Sequence, residues 1–228
     1  MNSQTQRLSV AGPAGALECA VDSPAMAPRG VAVICHPHPQ HGGTLDNKVV
    51  QTLARALLQL GYRTLRFNFR GVGESQGSWD EGRGEVADAL AVIESQREPG
   101  RPWVLAGFSF GGFVAAAAAA QLPEADRPER LVLVGPSTQK QQVPNVPDDT
   151  LVIHGELDDV VPLAATLDWA RPQSLPVVVV PGGGHFFHGQ LPMLKNIVLR
   201  AWRVGAPETP SASPPRGGAV PLGRPGGD

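Results

Sequence analysis

Two segments of the sequence have the spacing Gly-x-Ser-x-Gly, which places a serine hydroxyl between two glycines: residues 107–111 around Ser109 and residues 73–77 around Ser75. The spacing suits a nucleophile when the serine lies on a sharp turn between a buried strand and a helix, because glycines let neighbouring backbone approach. Ser109 follows the apolar run WVLAGF and precedes an alanine-rich helical segment, whereas Ser75 lies between glycine-rich loops. We therefore predict that Ser109 is the nucleophile and that Ser75 is a loop residue near the mouth of the site.

A serine hydroxyl needs a base to take its proton and a carboxylate to orient that base. Asp158 follows the predicted strand TLVIHG, at the edge of a parallel sheet where ligands bind. The adjacent Asp159 is the alternative carboxylate, or else a helix N-cap. His185 follows three glycines in PGGGHFFHG and is the predicted base, with His188 as the second choice. His154, at the end of its strand, is predicted to be a structural residue beneath the site. The chain order Ser, Asp, His is that of one fold among the convergent triads.

The segment CHPHPQHGG brings three histidines within six positions: His36, His38 and His41. Histidines at this spacing bind zinc or copper when a loop curls around the ion. The sequence offers no nearby carboxylate or fourth ligand, however, and two prolines stiffen the segment. We therefore predict no metal and no cofactor.

Alternating strand and helix patterns would position these residues. A β-hairpin is predicted in RLSVAGPAGALECAVD, and six further strands in GVAVICHP, RTLRFNFRG, WVLAGFS, LVLVGPS, TLVIHG and PVVVVPG. Amphipathic or alanine-rich segments between most of these strands predict helices. Strands separated by helices indicate βαβ units, so we predict an α/β fold with a mostly parallel eight-stranded sheet and helices on both faces.

Composition predicts a single domain at residues 1–204. Residues 205–228 contain six Gly and six Pro, which predicts a disordered Pro/Gly-rich C-terminal tail. A net charge of −2 argues against nucleic acid as a partner, and the lack of a long apolar run argues against a membrane and favours a soluble, cytoplasmic protein. The two cysteines, Cys19 and Cys35, are predicted to be buried and free.

Over residues 8 to about 203 the sequence resembles the α/β-hydrolase superfamily. The segments HPHPQHGGTLDNKVV, FNFRGVGESQG and GFSFGG resemble a group of small bacterial serine hydrolases related loosely to dienelactone hydrolases. The resemblance implies an esterase-type Ser-His-Asp enzyme whose first two strands are antiparallel to the rest. The connection between LVLVGPS and TLVIHG is too short for the helical lid of many relatives, so an open, shallow site is expected.

The resemblance also places an oxyanion-binding N–H in the loop after the first central strand. Proline has no N–H, so His38 is the predicted donor, with Gly42 or Gly43 as alternatives. The second donor is the amide of Phe110, which follows the nucleophile at a helix N-terminus.

These features predict a serine hydrolase acting on a small-molecule acyl substrate, an ester or a closely related thioester. Ser109 would attack the carbonyl carbon, His185 would move the proton and Asp158 would hold the imidazolium. The alternatives are a serine peptidase or aminopeptidase-like enzyme, a non-catalytic small-molecule binder on the same scaffold, and a metal-dependent hydrolase. Four residues are candidates for the opening of the site, with a packing role as the alternative for each: Arg70, Trp79, Phe110 and Phe187.

Overall fold

A computed structural model describes residues 5–202 of the chain. Within this range the chain forms eight strands: β1 (Gln6–Gly12), β2 (Gly15–Asp22), β3 (Gly30–Cys35), β4 (Tyr62–Phe67), β5 (Trp103–Phe108), β6 (Arg130–Val134), β7 (Leu151–Gly155) and β8 (Val177–Val180). Its α-helices are α1 (Lys48–Gln59), α2 (Arg83–Gln96), α3 (Phe110–Gln121), α4 (Leu163–Ala170) and α5 (Leu191–Ala201). The predicted tail at residues 205–228 lies outside the described residues.

The strands form one sheet in the order β1-β2-β4-β3-β5-β6-β7-β8. From β4 to β8 all neighbours pair in parallel, as the βαβ pattern of the sequence predicts. The predicted α/β-hydrolase fold with an eight-stranded, mostly parallel sheet is confirmed.

The prediction for the first two strands is wrong for β1. β1 pairs antiparallel with β2, and β2 pairs antiparallel with β4, so β1 has the same direction as the parallel strands and only β2 opposes them. The cause is the tight connection between Gly12 and Gly15, because strands joined by so short a turn run in opposite directions. Because the two strands of a hairpin have opposite directions, only one of them can be antiparallel to the rest of the sheet.

Two cores lie on opposite faces of the sheet. Side chains of a strand alternate between faces, so Val33 and Cys35 of β3 pack with α2 and α3, whereas Ala32 and Ile34 pack with α1 and α5. The central strands β3 and β5 are buried along their whole length, which is why their sequences are continuous apolar runs. Both faces are thus covered by helices, and the carboxyl ends of the strands form the accessible edge.

The connection from β6 to β7 contains no helix or strand, so no lid covers the carboxyl edge of the sheet at this point. Cys19 and Cys35 are buried and free. Burial raises the pKa of the Cys19 thiol to about 12 and also raises that of Cys35, which keeps both thiols protonated. Among the helices of residues 5–202, none is long and apolar enough to cross a bilayer.

Candidate active site

Ser109 lies on the turn that joins β5 directly to α3. Its backbone has φ 55° and ψ −119°, a conformation that costs a non-glycine residue on the order of 1–3 kcal/mol and persists only where the surroundings enforce it. The surroundings do so here: the Ser109 amide donates to the Val134 carbonyl at 2.9 Å, and the Ser137 amide donates to the Ser109 carbonyl at 3.2 Å. The turn projects the hydroxyl above the carboxyl edge of the sheet.

The two glycines of the Gly-x-Ser-x-Gly segment permit close backbone packing around this turn. A Cβ on Gly107 would lie 2.0 Å from the Gly111 carbonyl oxygen, and one on Gly111 would lie 2.3 Å from the Cys35 carbonyl oxygen. No side chain fits at such distances. Gly111 therefore brings the start of α3 against the end of β3, where the histidine-rich segment begins.

Asp158 lies in the turn after β7, and its two carboxylate oxygens have different partners. Oδ1 accepts hydrogen bonds from the amides of Val160 and Val161 at 2.9 and 2.7 Å, while Oδ2 accepts from Nδ1 of His185 at 2.7 Å. Burial raises the pKa of Asp158, but the hydrogen bond from His185 and those from the two amides outweigh it, so the net pKa is lowered. The carboxylate is therefore ionised and fixed in orientation.

His185 is carried by the glycine-rich loop after β8. A Cβ on Gly155 would lie 2.4 Å from the Gly183 carbonyl oxygen, so these glycines let the His185 loop approach the Asp158 turn. The next residue but one, Phe187, is fully buried and anchors the loop in the α1–α5 core. Nε2 of His185 is 3.0 Å from Oγ of Ser109.

The structure thus brings Ser109, His185 and Asp158 together in one hydrogen-bonded chain. With Nδ1–H donating a hydrogen bond to Asp158, Nε2 can accept a hydrogen bond from the serine hydroxyl. The alternatives Asp159 and His188 are exposed. In the described part of the protein, neither forms a hydrogen bond with Ser109, His185 or Asp158. Asp158 also accepts hydrogen bonds from the amides of the local turn, and the N-cap of α4 is Pro162, so the helix N-cap role considered for Asp159 is wrong.

His154 lies directly beneath Asp158 and is fully buried. Its Nε2 is 2.8 Å from the Val161 carbonyl oxygen and 3.4 Å from Oδ2 of Asp158. Burial lowers the pKa of His154, so the ring is neutral and donates its Nε2 proton. His154 thus holds in place the turn whose amides bind the carboxylate of Asp158. This agrees with the structural role predicted from the sequence.

The three histidines of CHPHPQHGG do not converge on a point. His36 is fully buried: its Nδ1 donates to the Pro37 carbonyl at 2.6 Å and its Nε2 accepts from the Phe69 amide at 3.1 Å. Burial lowers the pKa of His36 to about 3. Within residues 5–202 no group of three His, Cys, Asp or Glu side chains is arranged to hold a metal ion.

His38 and His41 instead stack on one another, with ring centroids 4.3 Å apart. His38 also packs against Trp79 and Phe110, at 4.7 and 5.1 Å. Burial lowers the pKa of His38, and His41 and Lys140 lower it further. The segment is therefore a stacked aromatic wall beside the serine.

Backbone amides near Ser109 differ in whether they already have an acceptor. Gly42 donates to the Pro39 carbonyl at 3.3 Å and Gly43 to the His38 carbonyl at 3.0 Å. The amides of Phe110, the first residue of α3, and of His38 have no such acceptor in the part of the chain that the structure describes. Of the four candidate amides, these two are therefore the ones without a backbone acceptor among the described residues.

A cavity of about 240 Å³ opens beside Ser109 and His185. Its lining also includes Val160, Phe186 and residues 37–38, 41–43 and 47. A larger cavity, of about 350 Å³, lies beside Asp22 and Arg66, away from the serine. The chemistry of the lining groups, and not cavity size, identifies the site.

For the four candidate residues at the opening of the site, the structure favours the packing alternative. Arg70 forms a two-point ion pair with Asp88, and Trp79, Phe110 and Phe187 pack against other side chains; none lines the cavity. Phe186, which the sequence analysis did not select, lines it instead. Neighbouring residues of an irregular loop point in different directions, and no sequence period indicates which one faces a cavity.

Ser75 is a buried structural residue rather than one at the mouth of the site. Its hydroxyl accepts from the Glu18 amide at 2.9 Å and donates to the Asn68 carbonyl at 2.7 Å, which ties the loop after β4 to β2. The second Gly-x-Ser-x-Gly segment therefore serves the fold.

Comparisons with known proteins agree with this architecture. A family model described as serine aminopeptidase, S33, matches residues 26–149. An α/β serine hydrolase without a lid from Xanthomonas campestris is 38% identical, with a TM-score of 0.82 over 92% of this chain and 99% of that one. An α/β serine hydrolase homologue from Coxiella burnetii is 39% identical, with a TM-score of 0.73 over 86% of this chain and 96% of that one.

A curated relative is matched over a shorter stretch. An uncharacterized protein of Rickettsia prowazekii is 40% identical over 116 residues, which are 50% of this chain and 49% of that protein. The chain thus spans about half the length of this relative, whereas it spans nearly all of the two hydrolase structures. The chain belongs to the α/β-hydrolase superfamily and is similar along most of its length to bacterial α/β serine hydrolases, including one described as having no lid.

Proposed function

We propose that this protein is a serine hydrolase that cleaves acyl esters through an acyl-enzyme intermediate. The observation that carries the proposal is the chain of hydrogen bonds from Ser109 Oγ through His185 to Asp158, at the wall of an open cavity. The strained backbone of Ser109 supports it, because such strain is concentrated at functional sites.

In the proposed reaction, His185 takes the proton of Ser109 through Nε2 as Oγ attacks the carbonyl carbon of the ester. The resulting imidazolium is stabilised by the ionised carboxylate of Asp158, and it then gives its proton to the leaving alcohol. A water molecule, activated by the same histidine, hydrolyses the acyl-enzyme. His185 is regenerated as a neutral base at the end of the cycle.

The negative charge that develops on the carbonyl oxygen needs hydrogen-bond donors that are already in position. We assign this role to the amides of Phe110 and His38, because neither has a backbone acceptor within residues 5–202, while those of Gly42 and Gly43 are engaged in the loop. One such donor contributes on the order of 3 kcal/mol to transition-state stabilisation. Truncating a side chain leaves a main-chain donor in place, and only a substitution by proline, which has no N–H, removes it.

A peptidase is the second candidate, supported by the description of the matching family model. An aminopeptidase has to bind the ammonium group of its substrate, which calls for a carboxylate in the cavity. Asp158 is engaged with His185 and does not line the cavity, and the described lining residues include no acidic side chain. Ester hydrolysis therefore ranks first. Comparing the hydrolysis of p-nitrophenyl acetate with that of aminoacyl p-nitroanilides separates the two activities.

The nucleophile assignment is tested with a fluorophosphonate, which phosphonylates activated serines. Intact-mass analysis should show one adduct on the wild-type protein and none on Ser109→Ala. Ser75→Ala is the matched control, because it changes the serine of the other Gly-x-Ser-x-Gly segment and should leave labelling unchanged. Labelling that persists in Ser109→Ala would contradict the assignment.

A further inference from the structure

The rings of His38, Trp79 and Phe110 contact one another, although the three residues lie on different segments of the chain. The ring centroids are 4.7 Å apart for His38 and Trp79, and 5.1 Å apart for each of the other two pairs. All three pairs are tilted, and we term the group the aromatic triangle. Two of its members carry the amides assigned to the oxyanion, whereas Trp79 neither lines the cavity nor has a role in the proposed reaction.

The aromatic triangle joins a loop to the core. His38 lies in the loop after β3, Trp79 in the connection between β4 and α2, and Phe110 at the start of α3. Phe110 is almost fully buried in the core on the α2–α3 face of the sheet, and the half-buried Trp79 packs against the same core. The ring of His38 is therefore held by two rings that are themselves anchored.

The segment that carries Trp79 is fixed to α2 by one buried carboxylate. Glu85 is fully buried, and its Oε1 accepts a hydrogen bond from the Asp80 amide at 3.0 Å. Its Oε2 accepts from the Gly82 amide at 2.7 Å. The backbone directly after Trp79 is thus tied to a helix of the core, so the indole has a defined position.

The orientation of the His38 amide has a separate cause. Nδ1 of His36 donates to the Pro37 carbonyl at 2.6 Å, and this carbonyl belongs to the same peptide unit as the His38 N–H. The C=O and N–H of a trans peptide point in opposite directions, so His36 fixes the direction of the His38 N–H. Its distance from the Phe110 amide is a different matter. In the described part of the chain, no backbone hydrogen bond joins residues 37–43 to residues 109–113.

We propose that Trp79 is a positioning residue for the oxyanion site, because its ring holds the side chains of His38 and Phe110 and thereby sets the distance between their two amides. This inference rests on the proposed function and adds a residue to it. Both amides have to reach one oxygen atom at about 2.7–3.1 Å, so a displacement of either weakens its bond. Negative charge on this oxygen develops in the transition state, so a loss of Trp79 should slow the reaction without weakening substrate binding.

Trp79→Leu tests the proposal, because leucine keeps an apolar side chain toward the core but is too short to contact both donor residues. One donor contributes about 10²–10³ to the rate, so losing half of its free energy lowers the acylation rate constant about 10- to 30-fold. Pre-steady-state release of p-nitrophenol from p-nitrophenyl acetate gives this rate constant and the apparent substrate dissociation constant separately. The dissociation constant should stay unchanged. Unfolded molecules reduce only the amplitude of the burst, so they do not imitate the effect.

A thionoester tests whether the loss lies in the oxyanion site. In p-nitrophenyl thionoacetate, sulphur replaces the carbonyl oxygen and is a weaker hydrogen-bond acceptor. The wild type should acylate with the oxygen ester much faster than with the thionoester, and this oxygen-to-sulphur ratio should fall about tenfold in Trp79→Leu. Trp79→Phe retains a ring and should restore most of the rate constant and of the ratio.

Trp202→Leu is the matched control. Trp202 is also half-buried, but its ring contacts Tyr62 and Arg130, which begin β4 and β6 at the opposite edge of the sheet from the site. This variant removes an indole of similar exposure without touching the aromatic triangle. Its acylation rate constant and its oxygen-to-sulphur ratio should equal those of the wild type.

Three results with Trp79→Leu would overturn the inference while leaving the proposed function intact. The first is a wild-type rate constant and ratio. The second is slower acylation with a wild-type oxygen-to-sulphur ratio, which would place the loss outside the oxyanion site. The third is a raised dissociation constant with an unchanged rate constant, which would make Trp79 a substrate contact. Failure of the wild type to hydrolyse the oxygen ester, with no fluorophosphonate labelling of Ser109, would instead refute the proposed function itself.

Discussion

The buried ring of His36 should make the stability of this protein fall as the pH falls below 6.5. In the folded chain both ring nitrogens are occupied, with Nδ1 donating to Pro37 and Nε2 accepting from Phe69. A second proton on Nε2 would break the bond to Phe69 and bury a charge. The folded-state pKa is therefore lowered to about 3, against about 6.5 in the unfolded chain.

The sign and size of the effect follow from proton linkage. Between pH 6.5 and about 3 the unfolded state binds the proton and the folded state does not, so stability is fully present above pH 6.5 and is lost as the pH falls through this window. Each pH unit corresponds to about 1.4 kcal/mol. From pH 7 to pH 5 the loss from His36 alone amounts to about 2 kcal/mol, a large part of a typical free energy of unfolding.

Urea denaturation of the wild type and of His36→Gln at both pH values isolates this contribution. The glutamine can accept from the Phe69 amide but does not titrate, so the variant should be less stable by about 1–3 kcal/mol at pH 7. The difference between the two proteins should shrink by about 2 kcal/mol at pH 5, because contributions of other groups cancel. His41→Gln, a change at an exposed position of the same segment, should alter stability by less than about 0.5 kcal/mol.

A stability difference between wild type and His36→Gln that is the same at pH 7 and pH 5 would refute this reasoning. It would mean that the ring takes up its second proton equally in the folded and unfolded chains. An NMR titration gives an independent check, since the ring protons of His36 should not shift between pH 7 and pH 5.

The remaining predictions concern the site. Asp158→Asn should lower kcat about 10⁴-fold by removing the carboxylate that selects the His185 tautomer. Asp159→Asn should retain activity. Equal losses in the two variants in esterase assays would contradict the assignment of Asp158. His154→Phe removes the donor to the Asp158 turn, so it should lower kcat and shift the acidic limb of the pH–rate profile. His154→Gln should restore most of the kcat and of the wild-type profile. Identical profiles in the two variants would indicate a packing role alone. Gly111→Ala would place a Cβ 2.3 Å from a backbone oxygen, so the free energy of unfolding should fall by about 1–3 kcal/mol, as measured by urea denaturation; a wild-type midpoint would contradict the close packing.

Strands, helices and the order of the chemical groups could be predicted from the sequence because they depend on local patterns. Continuous apolar runs identify buried parallel strands, and a serine between glycines at a strand–helix junction identifies the turn that holds Ser109. The ends of parallel strands meet at one edge of a sheet, so Asp158 and His185, each in a loop after a strand, could be expected near Ser109.

Choices between neighbouring residues required the tertiary structure. Asp158 and Asp159 have the same side chain and adjacent positions, and the direction of the turn after β7 decides that Asp158 faces His185. Phe186 and Phe187 are likewise adjacent and identical, yet the first lines the cavity and the second is buried in the core. Loop conformation depends on contacts with other segments, which local sequence does not encode.

The sequence by itself determined the fold class, the connection too short for a lid and the set of groups able to activate a serine. The tertiary structure decided the direction of β1 and the separate environments of the three histidines in CHPHPQHGG. It also decided which candidate amides have no backbone acceptor in the described part of the chain. The physical reason is the range of the interactions. Strand and helix patterns reflect neighbours along the chain, whereas burial, hydrogen-bond partners and pKa reflect neighbours in space.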